Sequence, residues 1–292
     1  MAGQHVVEVE VLGPWSLQTS RAFWEGFAPA ALADQPPVGP ATAAELRSVF
    51  LVETDWSRAE TTVRQTGSTA VVEVRGPGDL DAAGGQVLRF LALDVDARRW
   101  PEVRDRDPVI ADAQQRLPGL RPCGFHSPYE AAVWCVLSQR IRIVRAAQLR
   151  ADFIARHGDG GAFPPPSRLW TLDLALPGRK AEYLHSVADA ALEGRLDGRT
   201  LRRMDPEEAA ASVQQVKGLG PFAAELVVVR GANAPDALPH HERRLDAEVA
   251  ERYGPDRTLD EVAEAWRPFR TWAAVHLRAL RERRTHEMGS PG

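Results

Sequence analysis

Residues 239–249, PHHERRLDAEV, put two histidines and a glutamate directly behind a proline, at the mouth of an amphipathic helix. His241-Glu242 opens as the zinc-protease pattern H-E-x-x-H does, but the fifth position is Leu245. In that pattern two imidazoles four residues apart share a helix face and bind zinc while the glutamate activates water. With one imidazole missing no ligand pair remains, and the stretch needs a different use. A second stretch with chemical content is VKGLGPFAAELVVVRG, residues 216–231. Gly218-Leu219-Gly220 followed by Ala223 matches G-x-G-x-x-[GA], but a dinucleotide-binding turn must follow a strand. Here EEAAASVQQVKG precedes it and reads as a helix. What remains is a helix, a tight glycine hairpin and a second helix. Glycines let a backbone approach a phosphate, and the second helix begins with free N–H groups at the positive end of its dipole. Such a hairpin can hold DNA through backbone donors; taken alone, it reads rather as an αα-corner that only packs.

The chain that must position these residues is 292 residues long, enough for two domains or one large one. Its 44% hydrophobic and 26% charged content is that of an ordinary globular protein. Cys123 and Cys135 make neither a disulfide framework nor a zinc knuckle and are expected to pack as small hydrophobes. The N-terminus, MAGQHVVEVEVLG, lacks the apolar core of a signal peptide. No apolar run reaches membrane-spanning length, and the expected location is cytoplasmic. The net charge of −4 gives no global attraction to nucleic acid. Its placement is uneven, however: residues 139–156 carry five arginines against one aspartate, and RALRERR at 278–284 is basic as well.

The first hundred residues alternate at period two in VVEVEVL, SVFLVE and STAVVEVRGPG, as half-buried strands do. PWSLQTSRAFWEGF, with a large aromatic face, and DLDAAGGQVLRFLAL read as helices between and after them. This predicts an α+β unit, an antiparallel sheet with helices on one face. From about Asp107 the pattern is helical. Ser127-Pro128-Tyr129-Glu130 predicts a capping box, from which AAVWCVLSQRIRIVRAAQLRADFIARHG runs on as helix. Asp205-Pro206-Glu207-Glu208 starts another helix, and Thr258-Leu259-Asp260-Glu261 caps the last long one. GDGGAFPPPSRLW is too rich in Gly and Pro to be regular.

GFHSPYEAAVWCVLSQRI, then LPGRKAEYL with the 216–231 hairpin, then PDALPHHERRL, then AEAWRPFRTWAAVHLRAL follow one another over roughly residues 105–284. In kind and order they resemble the motifs of the helix-hairpin-helix DNA glycosylases, in particular DNA-3-methyladenine glycosylase II. The resemblance implies an α+β N-terminal domain at 1–104, a TATA-binding-protein-like antiparallel sheet with helices. It implies an all-α helix-hairpin-helix glycosylase domain at 105–284, with 285–292 as a loose tail. In that family a proline turn leads into a helix headed by the catalytic aspartate, and here the position is Glu242.

The implied reaction is excision of an alkylated base from duplex DNA after the nucleotide has been flipped out. Glu242 would stabilise positive charge developing on the sugar and orient water, with His241 as fallback base. Phe222, Trp134, Tyr129 and Trp272 are candidate pocket walls. Arg278 stands where the family offers a tryptophan to stack on the damaged base, and a guanidinium opposes a cationic base. Arg140, after Gln139, falls at the wedge that fills the hole left by the flipped base. Lys217, Gly218, Leu219, Gly220, Pro221 and Ala223 would form the DNA-binding hairpin, together with the Arg140–Arg150 face. The carbonyls of Gln214, Val216 and Leu219 would hold a Na⁺ or K⁺ ion, and no other cofactor is expected. Phe222 occupies the position of the catalytic lysine of bifunctional relatives, so hydrolysis without strand cleavage is expected. The cysteines lack the spacing of the endonuclease III iron–sulfur loop. The expected partner is duplex DNA with a damaged base, and the expected state a monomer. The alternative is a paralogue that binds damaged DNA without efficient excision.

Overall fold

The computed structural model describes residues 3–27 and 45–286; residues 287–292, most of the expected tail, lie outside the described residues. The chain opens with β1 (Gly3–Glu10) and α1 (Leu17–Glu25), whose N-cap Ser16 accepts from Thr19 N. Next come β2 (Glu45–Leu51), β3 (Arg58–Thr66), β4 (Thr69–Gly76) and α2 (Leu80–Phe90). The strands form an antiparallel sheet in the order β1-β4-β3-β2. Leu17, Phe50, Val63, Val72, Val87 and Phe90 meet in one core, so α1 and α2 cover the same face of the sheet. Strand β3 adds to the three expected from sequence pattern. RAETTVRQT turns Ala59, Thr61 and Val63 inward, a face with too few large apolar residues to show its period.

The helical part comprises α3 (Val103–Arg106), α4 (Pro108–Arg116), α5 (Pro128–Ser138), α6 (Ile143–His157), α7 (Pro166–Thr171) and α8 (Lys180–Leu192). It continues through α9 (Gly198–Arg203), α10 (Pro206–Gln214), α11 (Pro221–Leu226), α12 (Arg243–Tyr253), α13 (Leu259–Ala263) and α14 (Arg270–Thr285). Local chemistry sets the starts. Asp107, Ser127, Asp205 and Thr258 each accept from backbone N–H groups of the first turn they precede.

Three local expectations change. Ser127 caps α5, but Glu130 lies 3.7 Å from His126 through its Oε2 and closes no reciprocal box. The long helix predicted from Pro128 breaks at residues 139–142, where Arg140 takes φ +56. Thr258 makes a full capping box, but on the five-residue α13; the last long helix starts only at Arg270, beyond Pro268. A short helix, α7, also begins inside the Gly/Pro-rich loop. Among the described residues no helix is long and apolar enough to cross a membrane. Cys123 and Cys135 are buried free thiols that burial pushes up to about 12.

The sheet unit and the helices share a sealed junction. Ala92, Ala97, Trp100 and Val103 pack with Trp266, Phe269 and Trp272 near the far end of the chain. Arg121 is fully buried there, and its guanidinium donates to four carbonyls: Pro14 (3.1 Å), Ala92 (2.7 Å), Val95 (3.0 Å) and Leu12 (2.6 Å). Burial lowers its pKa to about 10, which leaves it charged at neutral pH. Removing it strands four buried acceptors, each costly to desolvate. Arg121→Leu is therefore expected to cost about 3–5 kcal/mol, seen as a lower midpoint in denaturant with a broadened or split transition. A change below about 1 kcal/mol would show that the clamp is not what joins the two parts.

Candidate active site

The hairpin between α10 and α11 is closed by Leu219 N donating to Val216 O (3.0 Å), one of the three carbonyls considered for a cation. Gly218 sits at φ +95, and a Cβ there would lie 2.4 Å from the Tyr183 ring. Gly220 has an ordinary φ of −83 and faces open space. Pro221 then opens α11, with Ala223 buried behind it. The break after α5 meets this turn: Gln139 Nε2 donates to Gly218 O at 2.8 Å, and the exposed Arg140 is carried beside it. Gln139, Arg140, Lys217, Gly218 and Gly220 are thus brought to one surface, whereas the Leu219 side chain is buried in the core behind them. Lys217 is ion-paired with Glu182, which Arg179 also holds. Hydrogen bonds from Arg179 and then Lys217 draw the Glu182 carboxyl down to about 2.

Beyond the hairpin lies a cleft of about 1310 Å³. Phe222, 47% exposed, stands on its rim, and Trp134, 4% exposed, is part of its lining. Phe23 and Phe27, at the end of α1, complete the aromatic wall. Glu242 also lines the cleft. It is the N-cap of α12, its Oε1 accepting from Arg244 N at 3.1 Å and lying 3.9 Å from Arg278 Nε. The carboxylate therefore sits at the positive end of an 11-residue helix with a guanidinium beside it. Close by, burial and the neighbouring Glu242 charge raise the Asp246 carboxyl. His241 faces elsewhere. Its Nδ1 lies 2.7 Å from Glu225 Oε1, and its backbone N donates to Glu225 Oε2 at 2.9 Å. His240 lies 3.3 Å from Asp260. No group of three or more His, Cys, Asp or Glu residues could hold a metal among the described residues.

Two expected walls are elsewhere. Tyr129 is fully buried, donates to Pro164 O at 2.8 Å and packs on Trp56. Trp272 is fully buried against Trp100 and Phe269. Large aromatics are the natural filling of a core, and neither ring lines the cleft. Arg150 is likewise not on the basic face. It is 7% exposed with its guanidinium 4.7 Å over the Phe163 ring, and burial lowers it to about 10.

Sequence reasoning missed Phe23, Phe27 and Arg230. The aromatic i, i+4 pair belongs to a helix of the sheet unit, and nothing local says that it reaches across. Arg230 interrupts the apolar run VVVRG, a signal that could have marked it as a buried charge. Six arginines line the cleft (142, 145, 230, 244, 278 and 283) against three glutamates (225, 242 and 282). The cleft is therefore positive in a chain whose net charge is −4.

No protein-family model matches the chain. A "DNA-3-methyladenine glycosylase" of Bacillus subtilis is 27% identical over 202 residues, which is 64% of this chain and 67% of that protein. The "DNA-3-methyladenine glycosylase 2" of Escherichia coli is 32% identical over 177 residues, 55% of this chain and 60% of that protein. The match thus spans only about two thirds or less of these relatives' lengths. Among solved structures, the 3-methyladenine DNA-glycosylase of Archaeoglobus fulgidus superposes with a TM-score of 0.73 at 18% identity, covering 96% of this chain and 99% of that one. The chain is thus similar in sequence to proteins named DNA-3-methyladenine glycosylase, and it shares the fold of a solved 3-methyladenine DNA-glycosylase along nearly its whole length.

Proposed function

We propose that the chain is a monofunctional DNA glycosylase of base excision repair, acting in the cytoplasm on duplex DNA as a monomer. The observation that carries this is Glu242: a carboxylate held at a helix N-terminus on the wall of a positive, aromatic-lined cleft that adjoins a glycine hairpin. The hairpin would take the phosphate backbone through its N–H groups. Its one lysine is already ion-paired, so the arginines of the cleft would supply most of the electrostatic attraction.

Arg140, exposed beside the hairpin at φ +56, would enter the gap left by a flipped nucleotide. Phe222, Trp134 and the α1 aromatics would flank the flipped base. Glu242 would then stabilise the cationic sugar and direct water to it. The N-terminal sheet-and-helix unit corresponds, on this reading, to the TATA-binding-protein-like domain of the family. Carbonyls of the hairpin turn, those of Gln214, Val216 and Leu219, would take a Na⁺ or K⁺ ion.

The test is release of free base from lesion-bearing duplexes, with alkylated bases assayed first because the relatives' names point to them. Release should leave an intact abasic site and no borohydride-trapped adduct, since Phe222 cannot form a Schiff base. Tight, damage-selective binding without any release would instead establish the non-catalytic alternative.

The hairpin also carries a measurable brake. Glu182 neutralises Lys217, the lysine of the turn, and presents a carboxylate where phosphate would approach. Glu182→Gln is expected to tighten duplex binding several-fold at low salt and to steepen the salt dependence by about one unit of log–log slope. An unchanged slope would place Lys217 away from the DNA.

A further inference from the structure

We infer that the cleft selects neutral bases bearing ring carbonyls over N-alkylated purine cations. This rests on the glycosylase reading above and narrows it to a substrate class. The residue that carries it is Arg230, in the π turn Val227–Gly231 that extends α11. Arg230 is 9% exposed and lines the cleft. Its guanidinium lies 4.4 Å from the Phe27 ring centroid and 5.1 Å from that of Phe23. It donates through Nη2 to Cys123 O at 2.5 Å, its Nε is buried without an acceptor, and it pairs with no carboxylate among the described residues.

Of the other buried arginines, Arg150 stacks over Phe163 away from the cleft, and the remaining two are neutralised or fully used. Arg89 pairs with Glu53 at 2.6 Å, and Arg121 spends its fork on four carbonyls. A buried charge without a counter-ion is expensive to keep. Burial lowers Arg230 to about 10, still protonated at neutral pH. Arg278 adds a second guanidinium to the same wall, and the lining as a whole carries twice as many arginines as glutamates.

The charge of the base then decides the outcome. When a neutral base leaves, the C1′–N bond breaks and its electron pair goes to the base, spreading onto the ring carbonyl oxygens. Guanidinium donors stabilise that charge as it develops. Water oxygen bonds to C1′, one water proton passes by way of Glu242 to the departing base nitrogen, and the other stays on the sugar hydroxyl. A purine cation leaves as a neutral molecule, so the guanidiniums give its departure no such help. They oppose its entry instead, and the penalty appears in KM.

The experiment compares excision by the full chain from duplexes that differ only in the lesion: hypoxanthine and 8-oxoguanine, which are neutral, and 7-methylguanine, which is cationic. Each kcat/KM is divided by the uncatalysed release rate, because cationic bases leave more readily on their own. The neutral lesions should be favoured at least tenfold. Arg278→Gln should narrow that ratio at least threefold, mainly by lowering KM for 7-methylguanine, while a thermal melt confirms folding. Arg230→Met should narrow it further if it folds, and Arg278→Gln alone decides the matter if it does not. Preference for 7-methylguanine, or a ratio that Arg278→Gln leaves unchanged, overturns the selectivity and leaves the glycosylase reading standing. No release from any duplex overturns both.

Discussion

Glu242→Gln should lower base release by at least about a hundredfold, the scale of removing one preorganised electrostatic group from a reacting centre. The substitution keeps the side chain's length and its carbonyl oxygen, so the hydrogen bond from Arg244 N can persist. What it removes is the negative charge 3.9 Å from Arg278 Nε and at the head of α12. At a helix N-terminus that charge is worth about 0.3–1 kcal/mol of stability, so the fold should survive and the effect should fall on the reaction. Glu242→Asp makes the complementary case. Aspartate is the better N-cap and keeps the charge, so release should stay within about threefold of the parent or exceed it. His241→Ala should matter less than Glu242→Gln, because His241 is turned to Glu225 rather than into the cleft. Base release by Glu242→Gln at the parental rate would show that the carboxylate is only a helix cap.

The residues legible in the sequence are those whose meaning is local. Gly218 announces a positive φ by its type, and the helix that ends before it excludes a dinucleotide turn. Pro239 and the acid after His241 mark a helix start, and Glu242 is indeed the N-cap there. What a local pattern cannot carry is the identity of the surface that a face will meet. The aromatic face of α1 reads as core for the sheet, yet Phe23 and Phe27 cross to flank Arg230, more than 200 positions later in the chain. Tyr129 and Trp272 are candidate pocket walls only through the reaction that the resemblance implies, and buried tertiary partners claim both. The break after α5 is equally hidden: an apolar run continues through Ile141 and Ile143, and only the distant Gly218 carbonyl gives Gln139 its partner. Strand β3 escapes notice for the opposite reason, since a sheet neighbour on each side supplies the stability that its own residues do not advertise.

Gly218→Val should cost both stability and DNA binding, whereas Gly220→Val should cost binding alone. At φ +95 a β-branched residue is strained. The new Cβ would also lie 2.4 Å from Tyr183, whose ring carbon cannot move aside as the end of a flexible chain could. The turn must shift, and with it the Gly218 carbonyl that holds Gln139 and, through it, the segment bearing Arg140. A destabilisation of about 1–3 kcal/mol is expected, with duplex affinity down at least tenfold. Gly220 meets none of these constraints: its φ is −83 and a Cβ there touches nothing within 4 Å. Its valine variant should melt close to the parent, yet the side chain would stand in the open space through which a phosphate reaches the backbone N–H groups before α11. Affinity should fall by about tenfold with little change in salt slope, because backbone donors rather than a side-chain cation hold that phosphate. Measured side by side by fluorescence anisotropy and thermal melting, the two variants separate the folding of the turn from its grip on DNA. If Gly220→Val folds normally and binds duplex as tightly as the parent, the hairpin is only a corner between helices, and the DNA must lie elsewhere along the positive cleft.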